Sequence, residues 1–336
     1  MDQPSLAVEF TADQHARLAT REEVLYSSFR FHKMTEDLPD IPAQISTGEA
    51  HYLYWLMMQG YMGAGEVVEL GSWLGRSTSV LAAGLRDAGF DRKVISRDAY
   101  RWGGETDNRK SGLNLRHSDD FHPHFLRYTK PLRDWIESRR ASFLKLEWPA
   151  DRPVEILFFD GPKTTQVISS SLATFAPAFI PGCTLLVLQD YQHSLSYELP
   201  LAIHNLGDKL TLRHMIQTGG TVSFLINAPL RPEDVSFDAL DYHDWPREKI
   251  LEVWRTILPP LQGTVRNCLK SACVFHFFDS GLVDESIRVL RTIDFTPRLY
   301  TGWTNWSATP PIRAKYEPLF DVYLSEIYKP PKPPAS

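Results

Sequence analysis

The stretch Val67-Val68-Glu69-Leu70-Gly71-Ser72-Trp73-Leu74-Gly75-Arg76-Ser77-Thr78 decides how the rest of the chain is read. Val67–Leu70 is short and almost wholly apolar, which suits a strand buried on both faces of a parallel sheet. It delivers one carboxylate, Glu69, to its far end. Gly71 then permits a tight turn, and Gly75 stands at the mouth of the helix that follows. Glycines so placed let the backbone approach a ligand closely and leave helix N-terminal amides open to an anionic group. The spacing is G-x-x-x-G. It lacks the third glycine of a dinucleotide fingerprint and the Gly-Lys-Ser/Thr ending of a phosphate-binding loop, so NAD, FAD and nucleoside triphosphates are disfavoured.

Outward from this stretch, Glu66–Leu70, Lys93–Ser96, Val154–Phe159 and Thr184–Leu188 are continuous apolar runs that predict strands. Helical patterns fall between them at about 76–88, 125–139, 164–178 and 195–207. Such alternation predicts an open α/β sheet with right-handed crossovers. The rhythm then changes. Leu210–Ile216 and Thr221–Asn227, joined by Gln217-Thr218-Gly219-Gly220, read as an antiparallel hairpin. Upstream, Ser46-x-x-Glu49 is a capping box that opens a helix through Gln59. Beyond 228, helical patterns near 246–258, 264–278, 282–292 and 312–327 define an additional helical region.

These features resemble the class I S-adenosylmethionine-dependent methyltransferases, in the branch of catechol-type and macrocin-type O-methyltransferases that act on small molecules. The residues that carry the resemblance are VELGSWLGRST (67–78), ISTGEAHYL (45–53), FFDGPKT (158–164) and LLVLQDY (185–191), together with the terminal hairpin. It covers about residues 45–227. The fold it implies is a Rossmann-like methyltransferase fold: a mostly parallel seven-stranded sheet with a terminal antiparallel hairpin. The implied layout is a cap or substrate segment at 1–44, a cofactor-binding core at 45–227, a helical region at 228–329 and a disordered proline-rich tail at 330–336.

The resemblance also implies roles. Gly71, Ser72, Gly75 and Ser77 would face the methionine part of S-adenosyl-L-methionine, with Glu69 organising the turn. Asp98 would take the ribose hydroxyls, which suits a carboxylate accepting from a diol. Adenine contacts are expected within Lys145–Trp148. Asp160, at a strand's carboxyl end, would contact the cofactor and ligate a metal, and Lys163 would be the general base. A lysine does that work only with a lowered pKa. At the next strand the family has Asp-Asp or Asp-Asn, whereas this chain has Gln189-Asp190. Asp160, Gln189 and Asp190 still form an all-oxygen set of the kind that suits Mg2+. Gln189 is one methylene longer than Asp, and magnesium tolerates misplacement poorly.

Composition narrows the alternatives. The 336 residues are 43% hydrophobic and 23% charged, with 36 basic and 41 acidic side chains. A net charge of −5 excludes a globally basic nucleic-acid binder. Residues 92–145 nevertheless hold 13 Lys/Arg against 7 Asp/Glu, within an insertion at about 99–140 that includes His117, His122 and His124. That insertion reads as a lid for an anionic group, a histidine metal site or a solvated basic surface. A nucleic-acid methyltransferase is one competing function, although no Asn/Asp-Pro-Pro-Tyr/Phe or Pro-Cys motif supports it. A catalytically silent cofactor-binding protein is another, motivated by Gln189. Cys183, Cys268 and Cys273 are too few for a disulfide framework and read as buried small hydrophobes. No apolar run reaches membrane-span length, and the amino terminus has no secretory pattern, so a cytoplasmic protein is expected. The partner expected is a small-molecule acceptor, and the residues outside the core would shape its pocket or a homodimer contact.

Overall fold

The computed structural model describes residues 10–22, 25–26, 33–161, 163–236 and 242–328. It divides into two units, one of Met1–Tyr191 with Ala202–Ala239, the other of Gln192–Leu201 with Leu240–Ser336. Residues 228–236, expected in the helical region, group with the first unit, and 192–201, expected in the core, group with the second. The proline-rich tail lies outside the described residues.

In the first unit the strands are β1 (Leu25–Tyr26), β2 (Glu66–Leu70), β3 (Val94–Asp98), β4 (Ile136–Arg140), β5 (Val154–Phe159), β6 (Leu185–Leu188), β7 (Leu210–Met215) and β8 (Val222–Ile226). They form one sheet in the order β4-β3-β2-β5-β6-β8-β7-β1. β8 is antiparallel to both β6 and β7, and the other pairings are parallel. This is the seven-stranded sheet with its terminal hairpin, lengthened by the two residues of β1. The strand order reverses between β2 and β5. Open α/β sheets bind ligands outside the strand carboxyl ends at such a switch point.

The runs EVVEL, VEILFF and LLVL become strands because helices cover both faces. The helices of this unit are α1 (Ala12–Glu22), α2 (Thr47–Trp55), α3 (Arg76–Asp87), α4 (Glu105–Ser111), α5 (His122–Thr129) and α6 (Thr165–Phe175), and α7 (Glu198–His204) spans the boundary between units. Val67, Leu81, Phe158, Val187 and Leu225 share one core with Tyr52 and Leu53 of α2. The capping box opens α2 as expected: Ser46 Oγ accepts from Glu49 N at 3.2 Å, and Glu49 Oε2 accepts from Ser46 N at 2.7 Å. α2 then continues as a π-helical turn over Leu56–Gly60.

One prediction is corrected. The helix expected over 125–139 ends at Thr129, passes through a 3-10 stretch and becomes edge strand β4, paired with β3. Only Ile136 in IESRR is apolar, so an edge strand with one partner left no apolar run to read. The insertion is correspondingly shorter, and it has a core of its own. Tyr100, Trp102, Phe121 and Phe125 are buried with Ile41 and Leu74. The insertion is therefore a packed subdomain carrying a basic surface.

The second unit contains α8 (Arg247–Ile257), α9 (Gly263–Asp279), α10 (Val283–Leu290), α11 (Pro297–Ser307), α12 (Pro310–Lys315) and α13 (Glu317–Val322). α11 was not foreseen, and the pattern over 312–327 resolves into shorter pieces. Several buried polar groups there are paired. Trp254 Nε1 donates to His276 Nδ1 at 2.9 Å, and Asp279 accepts from the Tyr197 and Tyr316 hydroxyls at 2.9 Å each. All three cysteines are free and buried. Among the described residues no helix is long and apolar enough to cross a membrane.

Candidate functional site

The glycine turn follows β2 directly. Leu70 O accepts from Asp160 N at 2.9 Å and Gly161 N at 2.6 Å, which folds the turn after β5 onto the turn after β2. Gly71 has φ +91°, and a Cβ there would lie 2.5 Å from Gly161 N. Two backbones meet at the switch point, in a conformation that L-residues rarely adopt. Gly75 has φ +93°, and a Cβ would lie 2.4 Å from Thr129 Cγ2. Both glycines of the motif are thus required by the turn itself.

Glu69, expected to organise this turn, meets the first residues of the helix after it. It is fully buried and accepts from Ser77 Oγ at 2.5 Å and from the Thr78 hydroxyl. Burial pushes its pKa up to about 7, against those two hydroxyls, which hold it down. Ser77 was expected to face the cofactor. It lines the cleft, but its hydroxyl is given to Glu69.

Asp98 sits at the end of β3, and its first partners are backbone amides. Oδ2 accepts from Ser72 N at 2.9 Å and Trp73 N at 3.2 Å, and Oδ1 accepts from Tyr100 N at 2.7 Å. The turn amides expected to stay open for an anionic ligand are therefore engaged by this carboxylate. Burial raises the Asp98 pKa.

A cleft opens beside the turn, lined by Gln44, Ile45, Ser72, Trp73, Arg76, Ser77 and Asp160. The Ser72 hydroxyl and Trp73 Nε1 are buried with no hydrogen-bond partner among the described residues. Buried polar groups left unpaired are costly. Gln44, Ile45 and Arg76 were not foreseen. They depend on the segment before α2, which Arg76 Nη1 ties down at Pro39 O (3.0 Å) and Lys110 Nζ ties to Gln44 Oε1 (2.6 Å). Trp73 also stacks on Trp102 of the insertion, with ring centroids 6.0 Å apart.

The structure brings Asp160, Lys163, Gln189 and Asp190 together. Lys163 Nζ lies 2.6 Å from Asp190 Oδ2, 3.3 Å from Gln189 Oε1 and 3.4 Å from Asp160 Oδ1. Asp190 reaches this position with φ +62°. Gly220 of the hairpin turn packs so closely that a Cβ would lie 3.2 Å from Asp190 N. Burial pushes Asp160 up to about 7 although Lys163 opposes the shift, and 23% of its side chain remains exposed. Lys163 is raised: its burial acts downward, and the two carboxylates outweigh it. The lowered pKa that a lysine base needs is absent in the free protein.

Trp148 lies in the window where adenine contacts were expected. Trp148 packs on Phe175 between Arg97 and Arg152. Phe143 meets the turn after β5, with its ring 2.2 Å from a Cβ built on Gly161. The histidines of the insertion do not converge either. His122 packs on Tyr100 at 4.1 Å, and no cluster of three metal-ligating His, Cys, Asp or Glu side chains occurs among the described residues.

Residues 68–191 match the family model described as a methyltransferase domain. The sheet of the chain, with its hairpin and added helices, has a Rossmann-like methyltransferase fold. The matched stretch contains every candidate residue named above except Gln44 and Ile45. Among solved structures, the O-methyltransferase NovP is 14% identical over 64% of this chain and 97% of its own, with a TM-score of 0.41. The TDP-rhamnose 3'-O-methyltransferase CalS11 is 13% identical over 53% of this chain and 76% of its own, with a TM-score of 0.38. No curated protein matches the chain.

Proposed function

We propose that the protein transfers a methyl group from S-adenosyl-L-methionine to a hydroxyl of a small molecule. One observation carries the reading: beside a stretch that matches a methyltransferase-domain model, the cleft at the switch point joins unpaired polar groups at the glycine turn to the Asp160 carboxylate. When bound, the cofactor supplies an electrophilic methyl group on a sulfonium.

Ser72, Trp73 and the turn of Gly71 and Gly75 hold the methionine part, with Glu69 and Asp98 fixing the turn from below. Asp98 also has acceptor capacity left for the ribose, because two oxygens offer more lone pairs than the amides use. Phe143 flanks the adenine. The acceptor hydroxyl lies toward Asp160, whose pKa near neutrality suits a proton acceptor. Lys163, the base expected from the resemblance, keeps its proton and orients the carboxylates. In the transfer the acceptor oxygen would gain a bond to the methyl carbon as that carbon's bond to the sulfonium sulfur breaks and leaves a neutral thioether, its proton would pass to Asp160, and alignment would supply much of the rate. For Mg2+ the set of Asp160, Gln189 and Asp190 does not fit as it stands, because the Lys163 ammonium is at its centre.

Thermal unfolding with S-adenosylhomocysteine tests the reading. At a hundred times its Kd, a ligand of the folded state stabilises by about 2.7 kcal/mol. That shift is expected here and is expected to be lost in Gly71→Ala. Absence of any shift at saturating ligand would overturn the proposed function.

A further inference from the structure

Gln189 is where the chain departs from the family it resembles, and the surrounding geometry gives that departure a meaning. An ammonium has three donors and no acceptor. Lys163 Nζ finds three oxygens, at 2.6, 3.3 and 3.4 Å, on Asp190, Gln189 and Asp160. They match its hydrogen-bonding capacity, and they are also the whole oxygen set that the sequence offers a divalent metal. Magnesium needs near-octahedral ligands at about 2.0–2.1 Å. It enters this centre only by expelling the ammonium. Gln189 contributes a carbonyl without a charge, so two carboxylates and one ammonium leave a single net negative charge. A third carboxylate at this position would leave two.

The backbone is arranged around the same contact. Lys163 is immediately followed by Thr164, whose hydroxyl caps α6 by accepting from Val167 N. Asp190, the closest partner, adopts a left-handed φ of +62°, and Gly220 leaves room for it. Left-handed backbone at a non-glycine residue persists where surrounding structure enforces it, commonly at functional sites.

Resting on the methyl-transfer reading above, we propose that the Lys163 ammonium is the resident cation of this site. Asp160, Gln189 and Asp190 hold it where the resembling family holds a divalent metal, and methyl transfer here needs no metal. Lys163 is then a positioning residue. It fixes Asp160 and Asp190 and faces the acceptor with a positive charge.

Calorimetric titration of Mn2+, and separately of Mg2+, into the full chain tests this directly. Wild type is expected to show no saturable binding up to about 1 mM, and Lys163→Met with Gln189→Asp to bind Mn2+ at least about tenfold more tightly. Saturable wild-type binding at tens of micromolar overturns the proposal whether or not the variant folds. A variant that is folded by circular dichroism and still gains no Mn2+ binding overturns it as well. The S-adenosylhomocysteine thermal shift, run with EDTA and then with Mg2+, is read separately. A shift unchanged by EDTA supports the proposal, and a shift that requires Mg2+ overturns it. No shift under either condition defeats the methyl-transfer reading, while the metal titration still decides what occupies the oxygen set.

Discussion

Glu155 and Asp160 stand at opposite ends of β5, and each meets a cation. At the amino end, Glu155 and Arg21 are completely buried. Glu155 accepts from Met62 N and Ala64 N at 2.6 Å each, from Gly65 N at 3.2 Å, and from Arg21. Arg21 also donates to the carbonyls of Gly60 and Cys183, which fastens α1 to the bottom of the sheet. At the carboxyl end, Asp160 retains 23% exposure and Lys163 retains 45%. The chemistry of the two pairs is alike. Access separates them: the closed pair holds the fold, and the open pair can exchange partners with a ligand.

The largest effect should come from opening the closed pair. Arg21→Met leaves a buried, uncompensated Glu155 and is expected to cost about 3–5 kcal/mol in urea unfolding, most of it recovered when Glu155→Gln is added. A loss below about 1 kcal/mol would place Arg21 with ordinary surface pairs and erase the contrast.

Next comes the open pair. Asp160→Asn and Lys163→Ala are each expected to lower turnover at least about tenfold, or about 1.4 kcal/mol in the barrier. Both should melt closer to wild type than Arg21→Met does. If turnover holds while melting collapses, this end of β5 is architecture too.

The smallest effect is in pH. The Asp160 pKa is raised in the folded protein from 3.8 to about 7, so folding takes up a proton between those values. Its contribution to stability is complete below about pH 4 and is lost as pH rises through 7. The loss should be on the order of 1 kcal/mol, discounted for its coupling to Lys163 and its partial exposure. Asp160→Asn is expected to flatten that slope in urea unfolding followed from pH 4 to 8, and an unchanged slope would move the titration to Glu69.

The sheet was legible wherever strands are buried on both faces, as in EVVEL, VEILFF and LLVL, since burial leaves an apolar run in the sequence. β4 was hidden because an edge strand needs no such run. α11 was hidden because RLYTGWTNWS is poor in strong helix formers and is held by the packing of Trp303 and the cap at Thr296. In the site, motif spacing and resemblance foretold the meeting of Asp160, Lys163, Gln189 and Asp190. They did not foretell that the lysine would sit among the three oxygens, because spacing says nothing about where a flexible side chain settles. Gln44 and Arg76 were illegible for another reason: their place depends on the segment before α2 being strapped along α3, a tertiary contact with no local pattern.

Glu49 has a second partner besides Ser46. Its Oε1 accepts from Gly220 N at 2.6 Å and from Thr221 Oγ1 at 2.7 Å, in the hairpin turn. One carboxylate therefore joins positions 171 residues apart. Such a contact is expensive in chain entropy and forms late. Order of synthesis matters as well, because the hairpin follows every other strand of the sheet in the chain. A nascent chain complete only through residue 191 would carry Asp160, Lys163, Gln189 and Asp190, and would still lack the amide that seats Glu49 and the glycine that leaves room for Asp190. The site is finished by a hairpin that contributes no side chain to its chemistry.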